Sequence, residues 1–331
     1  MRFIVVCLSL LFSVLTPPSA EANEWRVFTC NGKTETSNFT YKLLRASPVS
    51  RTCTGDLIIH EGVVEIERYA FNGSGITTLT LPDSLVNTGE GVFSGTPLKS
   101  INLGKGLQTI GPESFNRTQI TSVSIPDSVT RIEDDAFLDT PLLDVKIGKS
   151  VKFIGESAFR NTRISMIQLP DSVETLWPSA FHNTFLKTVL GGKGLIEIDG
   201  YVFENTELSS IVLSTKLKSI GRRAFAGTKL TSIKVPEGVT SIEDEAFADI
   251  PTLTKVSLPT KLSTIGKDVF DSNAKLTIEY CGKLSGFPVV PVCSLATKDT
   301  EKTKSIVCSK GKQELTVTGK NPKCPKGYKR K

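Results

Sequence analysis

The sequence predicts a mainly β repeat solenoid, and three observations predict it. Phenylalanine returns at Phe71, Phe93, Phe115, Phe137, Phe159, Phe181, Phe203, Phe225, Phe247 and Phe270, in eight steps of 22 residues and a last step of 23. Aliphatic residues keep station with it. Eight positions before each one stands Val63, Leu85, Leu107, Val129, Val151, Val173, Leu195, Leu217, Val239 or Leu262. Five positions before comes Ile or Leu, with Thr88 the one polar exception. Finally, Cys30, Cys53, Cys281, Cys293, Cys308 and Cys324 flank this region and none falls inside it. A fixed period over many units marks a repeat architecture. A coil this short cannot bury its own apolar face, so stacked coils must bury each other's.

Taken in order, the chain opens with Arg2, an apolar run from Phe3 to Leu15 and Ala20-Glu21-Ala22. This reads as a secretory signal peptide over 1–22, because the run is shorter than the roughly 20 residues of a membrane span. Residues 23–55 lack the repeat and read as an N-terminal cap, with Trp25, Phe28 and Tyr41 laid over the first coil. The solenoid is expected over 56–281. Apolar residues follow each phenylalanine at five, eight and ten positions, as in Leu230, Ile233 and Val235. The last two alternate as in a strand with one face inward, and neighbouring coils are expected to pair these strands in parallel. The residues just before each phenylalanine read as a turn of helix, with Pro112 and Pro178 where a first helical position falls. Two positions after it stand residues suited to a left-handed conformation, among them Gly73, Gly95, Asp139, Asn161, Asn183, Asn205 and Gly227.

Beyond the repeat, 282–304 reads as a cap or linker and 305–331 as a basic two-cysteine module. From Lys298 to the end there are eleven Lys or Arg against three acidic residues, a balance of +8, whereas the whole chain is +6. Everything before the tail therefore sums to −2. Lys310, Lys312, Lys320, Lys323, Lys326, Lys329, Arg330 and Lys331 are a candidate tether to anionic lipid or an anionic envelope polymer.

One coil reads L-x-x-V-x-L-P-x-x-V-x-x-I-x-x-x-A-F-x-N-T. This resembles the BspA-like, treponemal type of leucine-rich repeat, as Ile125-Pro126, Ile132, Ala136, Phe137 and Thr140 show in one unit. The resemblance implies a right-handed coil stack with parallel strands and short helical turns, in a surface or secreted protein used for recognition or adhesion. The chain departs where Thr96, Thr118, Thr140, Thr162, Thr184, Thr206 and Thr228 replace the family's usual cysteine. That change suits a compartment in which a column of free thiols would oxidise.

With Cys7 removed in the signal peptide, six cysteines remain, and an even number in an exported chain suggests disulfides. Cys30 with Cys53 is expected in the first cap; proximity favours Cys281 with Cys293 and Cys308 with Cys324 among the 15 possible connectivities. No C-x-x-C is present and the histidines are only His60 and His182, so neither metal nor cofactor is expected. The outward residues of the main strands are the candidate binding face: Asp144, Lys146, Met166, Gln168, Thr188, Leu190, Ser210, Val212, Ser232 and Lys234. Met166, Leu190 and Val212 form an apolar patch in it, beside Gly191 and Gly192, which break the pattern and mark a bulge or close approach. The carboxylates on this face are too dispersed for paired acid and base, which argues against an enzyme. The expected partner is an extracellular protein or cell-surface polymer, not nucleic acid. The alternatives are a structural envelope or matrix component and, more remotely, a β-helix enzyme acting on polysaccharide.

Overall fold

The computed structural model of the chain describes residues 25–37, 43–44, 48–273, 275–280, 282, 304–310, 313–319, 323 and 328–331. The expected signal peptide, the pairing partners Cys281, Cys293 and Cys324, and Lys312, Lys320 and Lys326 lie outside the described residues. Each coil has three sides and is identified by its phenylalanine.

The first side is the main strand, such as Ser122–Ser124 or Ser232–Lys234, with the middle residue buried and its neighbours exposed. The second is a two-residue strand holding the Ile column. Eight of these, from Thr109–Ile110 to Thr264–Ile265, pair in one unbroken parallel ladder. Asn87 carries the ladder back to Glu65, and Glu65–Ile66 pairs Leu43–Leu44. The third is the phenylalanine turn. From Phe71 to Phe270 consecutive rings stack with centroids 5.2–5.9 Å apart. Phe71 through Phe247 are fully buried. Burying each contributes about 1.5–3 kcal/mol by area, and each stacked contact roughly 0.5–1.5 more.

The turn of helix expected before each phenylalanine does not form. The residues two before it, such as Tyr69, Glu113, Asp135 and Arg223, take φ of 51–59°, as do those two after it, such as Asp139 and Asn161 (58° and 59°). The second set was legible in the sequence, the first was not. A left-handed residue inside the turn stops helix propagation and instead aims alternate N–H groups at the next coil. Phe137 N–H donates to Ala158 C=O at 2.9 Å, and Phe159 N–H to Ala180 C=O at 2.9 Å. The buried threonines satisfy the same turn from within: Thr140 Oγ1 donates to Phe137 C=O at 2.8 Å and Thr162 Oγ1 to Phe159 C=O at 2.8 Å. Thr88, the polar intruder, faces Ser114, itself the one serine in the small-residue column before the phenylalanine; their hydroxyls lie 2.7 Å apart. Thr88 Oγ1 also accepts from Gly111 N–H at 2.8 Å. The two exceptions to the pattern are partners, which is how a buried polar pair is tolerated.

The main sheet, unlike the Ile ladder, is segmented. Three residues pair between the Phe93 and Phe115 coils, three between Phe137 and Phe159, four between Phe181 and Phe203, and three between Phe247 and Phe270. Between these blocks pairing falls to Lys146 opposite Gln168, to an isolated bridge from Thr188 to Ser210, or to nothing. The turn after the strand explains this. Pro-Asp-Ser stands in the coils that open a block at Pro126 and Pro170, and at Pro82 in the Phe93 coil, whose strand also pairs five residues with Thr54–Ile59 before it; coils that close a block carry Gly-Lys, at Gly104, Gly148 and Gly192. Asp127 Oδ1 reaches forward to accept from Lys149 N–H at 2.9 Å, as Asp83 does from Lys105 at 2.8 Å. Ser128 and Ser172 reach backward across the seam to Leu107 C=O and Val151 C=O at 2.7 and 2.6 Å. A Cβ on Gly148 would lie 2.0 Å from Pro126 C=O, so only glycine admits this approach.

Both ends are closed. At the first, Cys30 and Cys53 form the expected disulfide, and the Phe28 ring meets Phe71 edge-on at 5.2 Å. At the other, Lys275–Glu279 extends the main sheet beyond Lys255–Ser257. The antiparallel hairpin Lys304–Lys310 and Gln313–Gly319 then adds to it in parallel, Leu276 opposite Leu315. Cys308, disulfide-bonded, is fully buried there, and Tyr328 packs against the same core. The basic module is thus part of the stack.

Candidate functional site

Strand alternation places the outward residues of the main sheet in two columns along the stack. Met166, Thr188 and Ser210 make one, through the partners Met166 with Thr188 and the bridge from Thr188 to Ser210; Gln168 opposite Leu190 makes the other, which Val212 continues. Asp144 and Lys146 join through Lys146 opposite Gln168. Ser232 and Lys234 belong to the next block and have no pairing with the Phe225 coil. All ten are exposed except Thr188, which is half-buried.

Val212 is 90% exposed, Met166 59% and Leu190 46%. Phe185 and Leu143, 58% and 57% exposed, flank the same columns in the segments that lead into the strands. Sequence reasoning passed over both. Their columns elsewhere hold Gln119, Arg163, Glu207 and Lys229, or Lys99, Thr121 and Ser165, and an aromatic or leucine among those was the signal available.

Gly191 and Gly192 take φ of 78° and 67°. A Cβ at Gly191 would stand 2.1 Å from Leu169 C=O, so the break is a close approach that draws this strand toward the preceding coil. The Phe225 coil, left on the far side, forms no main strand, and Ile211, Val212 and Leu213 make no backbone hydrogen bond to either neighbour. Val212 owes its exposure to this seam.

Among the described residues a cluster of titratable side chains lies on another side, along the phenylalanine turns. Glu204, almost buried, accepts from Arg223 Nε at 2.6 Å and stands 3.1 Å from His182 Nδ1, a charge contact without hydrogen-bond alignment. Arg223 also pairs with Glu245 and, at 3.3 Å, with Asp249. Burial pulls the His182 imidazole below its ordinary value against the opposing pull of Glu204. The hydrogen bond to Glu204 holds the Arg223 guanidinium well above its usual range. Each carboxylate here is committed to Arg223, so the cluster clamps successive coils and presents no free acid and base to a substrate.

Of the candidate tether, Lys323, Lys329, Arg330 and Lys331 are exposed, and Lys310 lies in the hairpin strand.

The family model described as the BspA type leucine rich repeat region matches residues 50–165 and 152–277, in six copies. The chain belongs to the BspA-type leucine-rich repeat family. No curated protein matches it. Among solved structures it is similar to the pneumococcal vaccine antigen PcpA at 21% identity, over 67% of this chain and 62% of that one, TM-score 0.47. A leucine-rich repeat protein of Bacteroides ovatus is similar at 20% identity over 78% and 93%, TM-score 0.34. A leucine rich cell surface protein of Faecalibacterium prausnitzii is similar at 19% over 77% and 93%, TM-score 0.31. The chain thus spans less than two thirds of the pneumococcal antigen. No helix among the described residues is long and apolar enough to cross a membrane.

Proposed function

We propose that this BspA-type protein acts outside the cell as a non-catalytic recognition or adhesion protein. The outward face of its main sheet binds an extracellular protein or cell-surface polymer, and the basic C-terminal hairpin adds attraction to an anionic surface. The observation that carries this reading is the group of exposed apolar residues Met166, Leu190 and Val212, on three successive coils of an otherwise polar face. An exposed apolar cluster rimmed by polar groups marks an interaction site more often than scattered apolar residues do.

Co-sedimentation of the mature chain, Asn23 to Lys331, with whole cells and purified envelopes at low and high salt tests it. The tail is probed by charge reversal, Lys329→Glu with Arg330→Glu and Lys331→Glu, because removing a hairpin that completes the sheet would confound binding with unfolding. The face is probed by Val212→Asp. Binding that survives tail reversal and high salt but falls with Val212→Asp supports the face as the recognition surface. Binding that no face substitution alters would overturn it.

A further inference from the structure

Exposed apolar side chains do not say what covers them, but the charges around this patch do. Arg163 and Lys187 stand in the segments leading into the Met166 and Thr188 strands, and Lys229 in the one leading to Ser232. Lys146 and Lys234 flank the patch within its own columns. All five are exposed, and none is in an ion pair among the described residues. Against them stand only Asp144 and Glu207 on this face, a local balance of 5 − 2 = +3. The arginine along the phenylalanine turns is treated differently, since Arg223 is paired with three carboxylates. The unpaired backbone donors of Ile211, Val212 and Leu213 lie at the centre of the same area. Apolar contact area and unneutralised cations together fit one kind of surface, which offers apolar side chains and carboxylates in alternation.

We propose that the face from Met166 to Lys234 docks an acidic polypeptide, whose apolar side chains cover Met166, Leu190 and Val212 while its carboxylates meet the rim of lysine and arginine. This rests on the repeat face being the recognition surface and names the chemistry of its partner. Charge complementarity at such a rim sets association rate and specificity, and the desolvated apolar centre sets the residence time. A plain polyanion satisfies the cations and leaves the centre bare.

The test uses the mature chain with its tail already reversed (Lys329→Glu, Arg330→Glu, Lys331→Glu), which lowers the tail's balance from +8 to 8 − 6 = +2. Four probes are titrated: a random Glu/Tyr copolymer, poly-glutamate, heparin, and vesicles of phosphatidylserine and phosphatidylcholine. The copolymer is expected to bind about tenfold or more tightly than poly-glutamate or heparin. Leu190→Ser with Val212→Ser should weaken the copolymer by about tenfold and leave poly-glutamate unchanged; Lys187→Glu with Lys234→Glu should weaken both. Amide exchange at Ile211–Leu213, fast in the free chain, should slow when the copolymer binds. Equal binding of heparin or poly-glutamate and copolymer, or tighter binding to vesicles, would overturn the proposal. So would copolymer binding that is indifferent to the serine substitutions. If the copolymer fails while cell binding still falls with Val212→Asp, the acidic polypeptide is wrong and the recognition face stands.

Discussion

At the scale of single residues, His182 shows how a coil stack handles a titratable group. It stands between Arg160 and Glu204 along the turn, with Arg223 beyond. Its burial costs the imidazolium more than Glu204 returns, so the folded value lies below 6.5. The sign follows. Above about pH 6.5 both folded and unfolded states hold the ring neutral, and the full contribution to stability is present. As pH falls through 6.5 toward the lower folded value the unfolded state takes up the proton first, so stability is lost, at most by about 1.4 kcal/mol per pH unit for one proton. Urea unfolding of the parent and of His182→Gln at pH 7.5, 6.5 and 5.5 checks this. The parent should lose stability relative to the variant over the acid half of that range, a difference that reports the ring together with its coupling to Glu204. Parallel curves would mean that the ring titrates as freely as in the unfolded chain.

At the scale of the element, averaging the coils into one 22-residue consensus made the fold legible and hid its segmentation. The Phe column, the Ile column and the inward residues of the main strand report burial, which every coil shares, and each was readable from period alone. Pro-Asp-Ser at 82–84, 126–128 and 170–172 against Gly-Lys at 104–105, 148–149 and 192–193 reports something else, the difference between neighbours, and survives only when alternate coils are kept apart. The patch was legible as to Met166, Leu190 and Val212, which sit in columns fixed by strand alternation. Phe185 and Leu143 were passed over because they lie before the strands, where no alternation marks which side chains face outward, although their columns are polar elsewhere. The helical turn was misread because Pro112 and Pro178 suit a first helical position, while the left-handed residue two before the phenylalanine is set by the hydrogen bonds of the next coil. The segmentation makes a sharp prediction at Gly148. Its missing Cβ is what lets the Phe159 coil close on Pro126, so Gly148→Ala should cost about 1–3 kcal/mol as local overpacking. Alanine at Gly73, where φ is 65° but nothing lies within 4 Å, should cost only the strain of the left-handed backbone, about 1–2 kcal/mol, and leave the pairing intact. Hydrogen exchange separates the two. Only Gly148→Ala should open the amides of the Ser122–Ser124 and Asp144–Lys146 pair, and equal protection in both variants would show that the close approach does not hold the block together.

At the scale of the whole molecule, a one-dimensional stack is as stable as its ends allow, because each terminal coil offers a bare apolar face and a row of unpaired strand groups. The first end answers with Phe28 over Phe71 and the Cys30–Cys53 disulfide. The last answers with the hairpin. Gln313–Gly319 occupies the edge of Lys275–Glu279, and buried Cys308 and half-buried Tyr328 close over the core that includes Leu276 and Ile278. The tail's charge and its strands therefore do separable things. A chain ending before Lys304 loses the paired edge and uncovers Leu276 and Ile278, and should melt several degrees lower, since 1 kcal/mol shifts the midpoint of a chain this size by about 2–4 °C. It should also associate through the open edge, which light scattering would detect at concentrations where the parent is dispersed. Charge reversal at Lys329 and Arg330, both exposed, removes positive charge while keeping the backbone pairing of that strand with Cys308 and Ser309, and should melt with the parent. If the shortened chain melts with the parent and stays dispersed, the hairpin is an appendage, and the Lys275–Glu279 strand must be a sufficient end of its own.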